Sequence, residues 1–281
     1  MQIVPEPEWE ELARELVKRK GTALLMGSTD SGKSTLARYL IEKLLSLNIV
    51  VSFVDSDIGQ SSLSLPGTIG TKIFKRPSDI EEFNAEKIFF VGSLNPAKRI
   101  SLMIEGTKRI VDSVRETSEI VLVDTTGLVS GEYGRTLKIG KIRAIGPEHI
   151  IAIQRCDEIE HILTLVEDST VHRLRASRLA KERSREARIK YRKERFEKYF
   201  DKKKMTEFFL NDVALFYNGK PFKPKEGEFK EGTFISLNHN EDTRGMGILV
   251  ELNGNSVTFK SPIKSLKGIN RVILGDINLL K

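Results

Sequence analysis

One nine-residue stretch, Gly27-Ser28-Thr29-Asp30-Ser31-Gly32-Lys33-Ser34-Thr35, constrains the fold more than any other part of the chain. An apolar run, Thr22-Ala23-Leu24-Leu25-Met26, leads into it, and Leu36-Ala37-Arg38-Tyr39-Leu40-Ile41 follows. The order is buried strand, glycine-rich turn and helix start, the setting in which G-x-x-x-x-G-K-[ST] cradles phosphate. Gly27 and Gly32 let the backbone bend so that successive N–H groups converge on an anion. The helix that begins near Lys33 adds its N-terminal dipole, Lys33 adds a full positive charge, and the Ser34 hydroxyl can reach Mg²⁺. All nine residues are therefore expected around a bound nucleotide.

At 281 residues the chain suits one large α/β domain with a smaller appendage. Its single cysteine, Cys156, rules out an internal disulfide and a cysteine-rich zinc site and suits a reducing compartment. The charged N-terminal segment lacks the apolar core of a signal peptide, and no run approaches the roughly 18 apolar residues of a membrane span. A soluble cytoplasmic protein is expected. The net charge of +7 is unevenly placed: between Val171 and Lys204 fifteen Lys and Arg stand against five Asp and Glu. The rest of the chain is slightly acidic, so the whole excess sits in one segment, the footprint of a polyanionic partner.

Trp9, Leu12 and Leu16 have helical spacing, so residues 7–20 read as an amphipathic helix with Trp9 in the core. A second buried strand, residues 49–54, ends in Asp55-Ser56-Asp57-Ile58-Gly59-Gln60. Strand C-termini are where ligands of open α/β sheets bind, so these acids either hold Mg²⁺ or take a proton, or else cap a solvated turn. Short strands are expected at 72–75 and 87–91, a helix over 97–116, and a buried strand over 120–123 ending in Asp124. Asp124 has the place of a second Mg²⁺-organising carboxylate. A helix over 133–145 and a fifth buried strand over 149–153 complete a mostly parallel sheet covered by helices on both faces. Residues 173–202 lack Pro and Gly and read as one basic helix, with Arg188, Arg192 and Arg195 stacked along a face. Such a face either meets an anion or is simply solvated among its glutamates. Beyond residue 204, short apolar runs broken by Asn-Gly turns predict a β-rich module over 205–281.

Taken together, GSTDSGKST, DSDIGQSSLSLPGTIG, FFVGSLNP, VDTTG and ERSREARIKYRKERFEKYF resemble the polynucleotide 5′-hydroxyl kinase family that includes the Clp1-type RNA kinases. The resemblance covers most of residues 20–202. It implies a P-loop NTPase fold over 1–204 and transfer of the γ-phosphoryl of ATP or another nucleoside triphosphate, with Mg²⁺ or another divalent cation, to the 5′-OH of single-stranded RNA, with DNA a further candidate acceptor. By position, Asp55 matches the acid that takes the hydroxyl proton, Lys33 and Ser34 the phosphate-loop lysine and metal ligand, and Arg183 and Arg188 the paired lid arginines. Asp57 and Asp124 join Ser34 as expected metal ligands. Thr125 and Gly127 match the T-x-G that clasps nucleic acid, and Gln60 and Arg192 are expected on the same strand. RNA-processing protein partners, and no membrane, follow from the resemblance.

Three departures stand out. Leu128 replaces the aromatic that follows the T-x-G of many relatives, the N-terminal β domain of larger relatives has no counterpart before the first strand, and Gln154-Arg155-Cys156-Asp157 is not a guanine-specific N/T-K-x-D. Two other function classes compete with the kinase: a nucleotide-dependent switch of the MinD and signal-recognition kind, and a non-catalytic RNA-processing subunit that holds ATP structurally.

Overall fold

The computed structural model describes residues 3–223 and 229–280. Residues 1, 2, 224–228 and 281, which include parts of the expected C-terminal module, lie outside the described residues.

Two sheets organise the chain. The first contains β1 (Gly21–Gly27), β2 (Val51–Ser56), β3 (Thr68–Phe74), β4 (Lys87–Phe90), β5 (Ile120–Thr125), β6 (His149–Gln154) and β7 (Thr170–Arg175). Their order is β4-β3-β2-β5-β1-β6-β7. The run from β2 to β7 is parallel, while β3 and β4 are antiparallel additions at one edge. Helices α1 (Pro7–Lys18), α2 (Lys33–Ser46), α3 (Ile100–Arg115), α4 (Gly131–Ile145) and the short α5 (Glu160–Leu163) cover it.

The central strands read as unbroken apolar runs because both faces are buried. Ala23 and Leu25 of β1 enter the core shared with α1 and α2, which includes Trp9 packed on Tyr39. Leu24 and Met26 enter the opposite core with Met103 of α3 and Leu137 of α4. β1 pairs in parallel with β5 on one side and β6 on the other, so its C-terminal end lies where strand order reverses. The phosphate loop occupies that point.

The long basic helix is shorter than its composition suggests. Residues 170–175 pair in parallel with β6 as the edge strand β7, residues 176–184 are irregular, and α6 spans only Arg185–Tyr199. Two local causes account for this. The open edge of β6 needs a partner for its backbone groups, and the Ser184 side chain accepts the Ala187 N–H as an N-cap, fixing the helix start.

The second sheet contains β8 (Lys204–Phe209), β9 (Ala214–Tyr217), β10 (Lys220–Pro221), β11 (Thr233–His239), β12 (Asp242–Leu252), β13 (Ser256–Ser261) and β14 (Arg271–Asn278). It is ordered β10-β9-β14-β11-β12-β13-β8 and is antiparallel except for β9 beside β14. Phe234 of β11 meets Phe90, Phe196 and Phe200 at ring-centroid distances of 5.1, 5.2 and 6.4 Å. The base of α6 is thus packed between the two sheets. Tyr199 strengthens the contact by accepting the Met246 N–H at 3.0 Å.

Candidate functional site

The phosphate loop is shaped by two left-handed residues, Asp30 at φ 57° and Gly32 at φ 96°. Lys33 is buried, and its Nζ donates to the carbonyls of Gly27 and Ser28 at 3.0 and 2.7 Å. Burial holds its ammonium below the usual lysine range, against the opposing pull of Asp124, Asp57 and Asp30. Ser28, Thr29, Ser34 and Thr35 are partly or fully exposed along the loop, and Ser31 is buried beneath it.

Three carboxylates close the adjacent strands. Ser34 Oγ donates to Asp124 Oδ2 at 2.6 Å. Burial pushes the Asp124 carboxyl up to about 6, with Lys33 opposing. Hard oxygens in this arrangement suit Mg²⁺, which keeps few protein ligands and fills its shell with phosphate oxygens and water. Among the described residues, no group of three or more His, Cys, Asp or Glu could hold a metal ion unaided.

Asp55, expected to take the hydroxyl proton, is 1% exposed. Its Oδ2 accepts from Ser61 Oγ (3.2 Å), Ser62 N (2.5 Å), Ser62 Oγ (2.9 Å) and Leu63 N (3.2 Å). Its Oδ1 accepts from Asp57 N at 3.1 Å. Burial raises its pKa first, and the neighbouring Asp57 charge adds to that. This carboxylate braces the 55–63 turn and is buried at the end of β2. Asp57, expected on the metal, is only half-buried. Its Oδ1 accepts from Gly59 N and Gln60 N at 2.9 and 3.3 Å, and among the described residues its Oδ2 accepts nothing.

The residues expected on nucleic acid divide into two groups. Thr125 is wholly buried; its hydroxyl donates to the Leu25 carbonyl at 2.8 Å and accepts from Lys138 Nζ at 2.5 Å. It locks β5 to β1. Gly127 lies against the phosphate loop, where a Cβ would come within 2.4 Å of Thr29 Oγ1 and 2.5 Å of its nitrogen. Gln60 and Arg192 are both half-buried, Gln60 beside Asp57 and Arg192 on α6.

The segment leading into α6 folds back onto this cluster. Asp30 Oδ2 accepts from the Arg183 backbone N–H at 3.0 Å and from Arg188 Nη2 at 2.5 Å. The Arg183 guanidinium reaches Gln60 Oε1 at 3.3 Å. Of the two arginines matched to the lid pair, Arg188 puts its guanidinium on the phosphate loop, while Arg183 meets the loop through its backbone and turns its side chain to Gln60.

Sequence reasoning missed two further groups. Arg155, at the end of β6, donates to Ser28 Oγ and to the Asp30 carbonyl at 3.2 and 3.0 Å, and Glu158 accepts from Ser28 Oγ. Lys138 and Lys141 of α4 are fully buried behind the strand ends. Lys138 binds Thr125 Oγ1 and the Thr126 carbonyl, and Lys141 binds Ser56 Oγ. Burial depresses both, Lys141 to about 7. A lysine three residues from another on a helix gives no sign in sequence that both point inward.

Residues 27–202, more than half of the chain, match the family model described as mRNA cleavage and polyadenylation factor CLP1 P-loop. A polyribonucleotide 5′-hydroxyl-kinase of Pyrococcus horikoshii is 34% identical over 82% of this chain and 65% of its own length. One of Methanocaldococcus jannaschii is 38% identical over 75% of this chain and 59% of its own. The chain thus spans less than two thirds of these curated relatives. The fold aligns with Clp1p, solved in a complex with Pcf11p, at a TM-score of 0.75 and 12% identity, over 96% of this chain and 79% of that one. No helix among the described residues is long and apolar enough to cross a membrane.

Proposed function

The chain belongs to the CLP1 P-loop family, and on that footing we propose that it transfers the γ-phosphoryl of ATP to the 5′-hydroxyl of single-stranded RNA. The observation that carries the reading is the return of the segment leading into α6 to the phosphate loop: Asp30 accepts from the Arg188 guanidinium and the Arg183 backbone N–H, and the Arg183 guanidinium reaches Gln60, whose backbone amide binds Asp57. A switch protein or a passive ATP holder has no need of a basic helix bent back over its phosphates. A transferase needs it, both to neutralise charge on the moving phosphoryl group and to keep water from taking the acceptor's place.

In this reading Lys33 and the loop N–H groups of residues 27–35 hold the triphosphate. Ser34 and Asp124 would hold Mg²⁺, joined by Asp57 where Asp55 serves as the base, and the ion would offset the charge of the phosphates. Asp57 Oδ2, the more open oxygen of the pair, accepts the 5′-hydroxyl proton, and Asp55, the acid the resemblance points to, is the alternative base, which would leave Asp57 to the metal. The freed oxygen bonds to the γ-phosphorus as the bond to the β,γ-bridging oxygen breaks, and ADP leaves. Gly127 and Arg192 line the acceptor's approach, and RNA-processing partners belong to the same proposal on family grounds. DNA bearing a 5′-hydroxyl is a second acceptor.

The experiment is transfer of γ-labelled ATP to 5′-hydroxyl oligoribonucleotides and oligodeoxyribonucleotides, with Asp57→Asn and Asp55→Asn alongside the native chain. Label should reach RNA, and Asp57→Asn should lower kcat by at least about 10²-fold with nucleotide binding retained. Label confined to free phosphate would defeat the transferase reading. Full activity in Asp57→Asn would remove it as the base.

A further inference from the structure

We propose that Tyr191 and Arg195 of α6 are positioning residues that make docking of the arginine-bearing helix a condition for correct placement of Asp57. Neither side chain faces the phosphate loop. Both bind the turn behind it. Tyr191 Oη donates to the Ser61 carbonyl at 2.8 Å, and Arg195 Nη2 donates to the carbonyls of Ser62 and Ser64 at 3.3 and 2.7 Å.

The same turn supplies every donor on Asp55 Oδ2. The hydroxyls of Ser61 and Ser62 and the amides of Ser62 and Leu63 all end there. Asp55 Oδ1 in turn accepts the Asp57 N–H. An unbroken path therefore runs from α6 through the carbonyl side of residues 61–64, to the amide side, to Asp55 and on to Asp57. Hydrogen bonds in series polarise one another, so binding the carbonyls strengthens the amides of the same chain segment. Burial pushes the Tyr191 phenol up, keeping it a donor at neutral pH. When α6 lifts to admit substrates, these carbonyls pass to water and the turn loses its outer support. Asp57 is then set for chemistry only while the arginines are down, which limits wasteful hydrolysis in the open form.

The proposal rests on the transferase reading for its consequence and on geometry alone for the coupling, and the experiment separates the two. In the full chain, Tyr191→Phe, Arg195→Met and Arg195→Lys are compared for amide hydrogen exchange across residues 61–64, melting temperature, kcat, and KM for ATP. Losing one neutral hydrogen bond should speed exchange at Ser62 and Leu63 and lower kcat about fivefold in Tyr191→Phe; losing two charge-assisted bonds should do so by about 10–100-fold in Arg195→Met. Arg195→Lys should recover part of both, and KM for ATP should hold within about twofold because the phosphate loop is untouched. Unchanged exchange overturns the coupling, as does faster exchange with unchanged kcat, or a lower melting temperature as the sole effect. If the native chain transfers no phosphate, exchange alone decides: faster at 62 and 63 upholds the coupling, unchanged refutes it.

Discussion

The Arg188 guanidinium lies 2.5 Å from the Asp30 carboxylate, so the basic helix is tied to the very loop that a triphosphate must enter. Neither partner is fully exposed, with side chains 28% and 15% accessible, so solvent weakens the pair without cancelling it. In the proposed kinase a bound nucleotide would offer Arg188 a second anion, in competition with Asp30.

Asp30→Asn removes that competition. It should tighten ATP binding by about threefold to fivefold, the worth of one partly screened ion pair. It should also speed trypsin cleavage within residues 176–184 of the nucleotide-free protein. Titration calorimetry and timed proteolysis read the two effects. Weaker binding would show that Asp30 serves the nucleotide directly.

Gly127→Ala places a methyl group within 2.6 Å of the Thr29 backbone. Backbone cannot swing aside as a flexible side chain can, so the phosphate loop itself must shift. Overpacking of this kind costs about 1–3 kcal/mol, and here the cost falls on the binding geometry. ATP affinity should fall at least about tenfold with far-ultraviolet circular dichroism unchanged.

Asp124 gives a pH signature. Its carboxyl is raised from 3.8 to about 6, so the folded protein holds more protons than the unfolded chain between those values. Stability conferred by this group is full below pH 4 and declines as pH rises through 6. In nucleotide-free protein with chelator, Asp124→Asn should raise stability at pH 7 by on the order of 2 kcal/mol and change it little at pH 4. Urea melts at the two pH values check this; destabilisation at pH 7 would mean that the Lys33 and Ser34 contacts outweigh desolvation.

Phe234 is fully buried where the two sheets and α6 meet. Phe234→Ala should cost about 3–5 kcal/mol. Because the loss falls at the root of α6, phosphoryl transfer should drop further than ATP affinity at a temperature where the variant stays folded. Equal losses would mean that α6 holds its place without this contact.

How much of this was open to sequence reading depended on distance along the chain. The phosphate loop is local: nine consecutive residues carry the turn, the helix start and the lysine, and the structure assembles them as read. The parallel sheet was legible because its strands are buried on both faces and so are apolar throughout. The edge strand β7 was not, since a half-exposed run such as Val171-His172-Arg173-Leu174-Arg175 differs from a basic helix mainly through its hydrogen bonds to β6. The two acids at 55 and 57 are indistinguishable by type. Only the return of residues 61–63 to Asp55 shows which one is sealed and which is open. Arg155 is the clearest miss, because its partners Ser28 and Asp30 are more than 120 residues away.

That same distance governs how the protein is made. Among the described strands β1 comes first in the chain, yet it is central: its neighbours are β5 and β6, with Gly27 aligned to Ile153. At about 5–20 residues per second, the ribosome needs roughly 6–25 s to supply the second neighbour. Until β5 emerges the nascent phosphate loop has no flanking strand, and until β6 emerges the apolar β1 lacks one side of its sheet. The nucleotide site therefore stays incomplete until residue 154 has been made, and its tie to Arg188 forms later still.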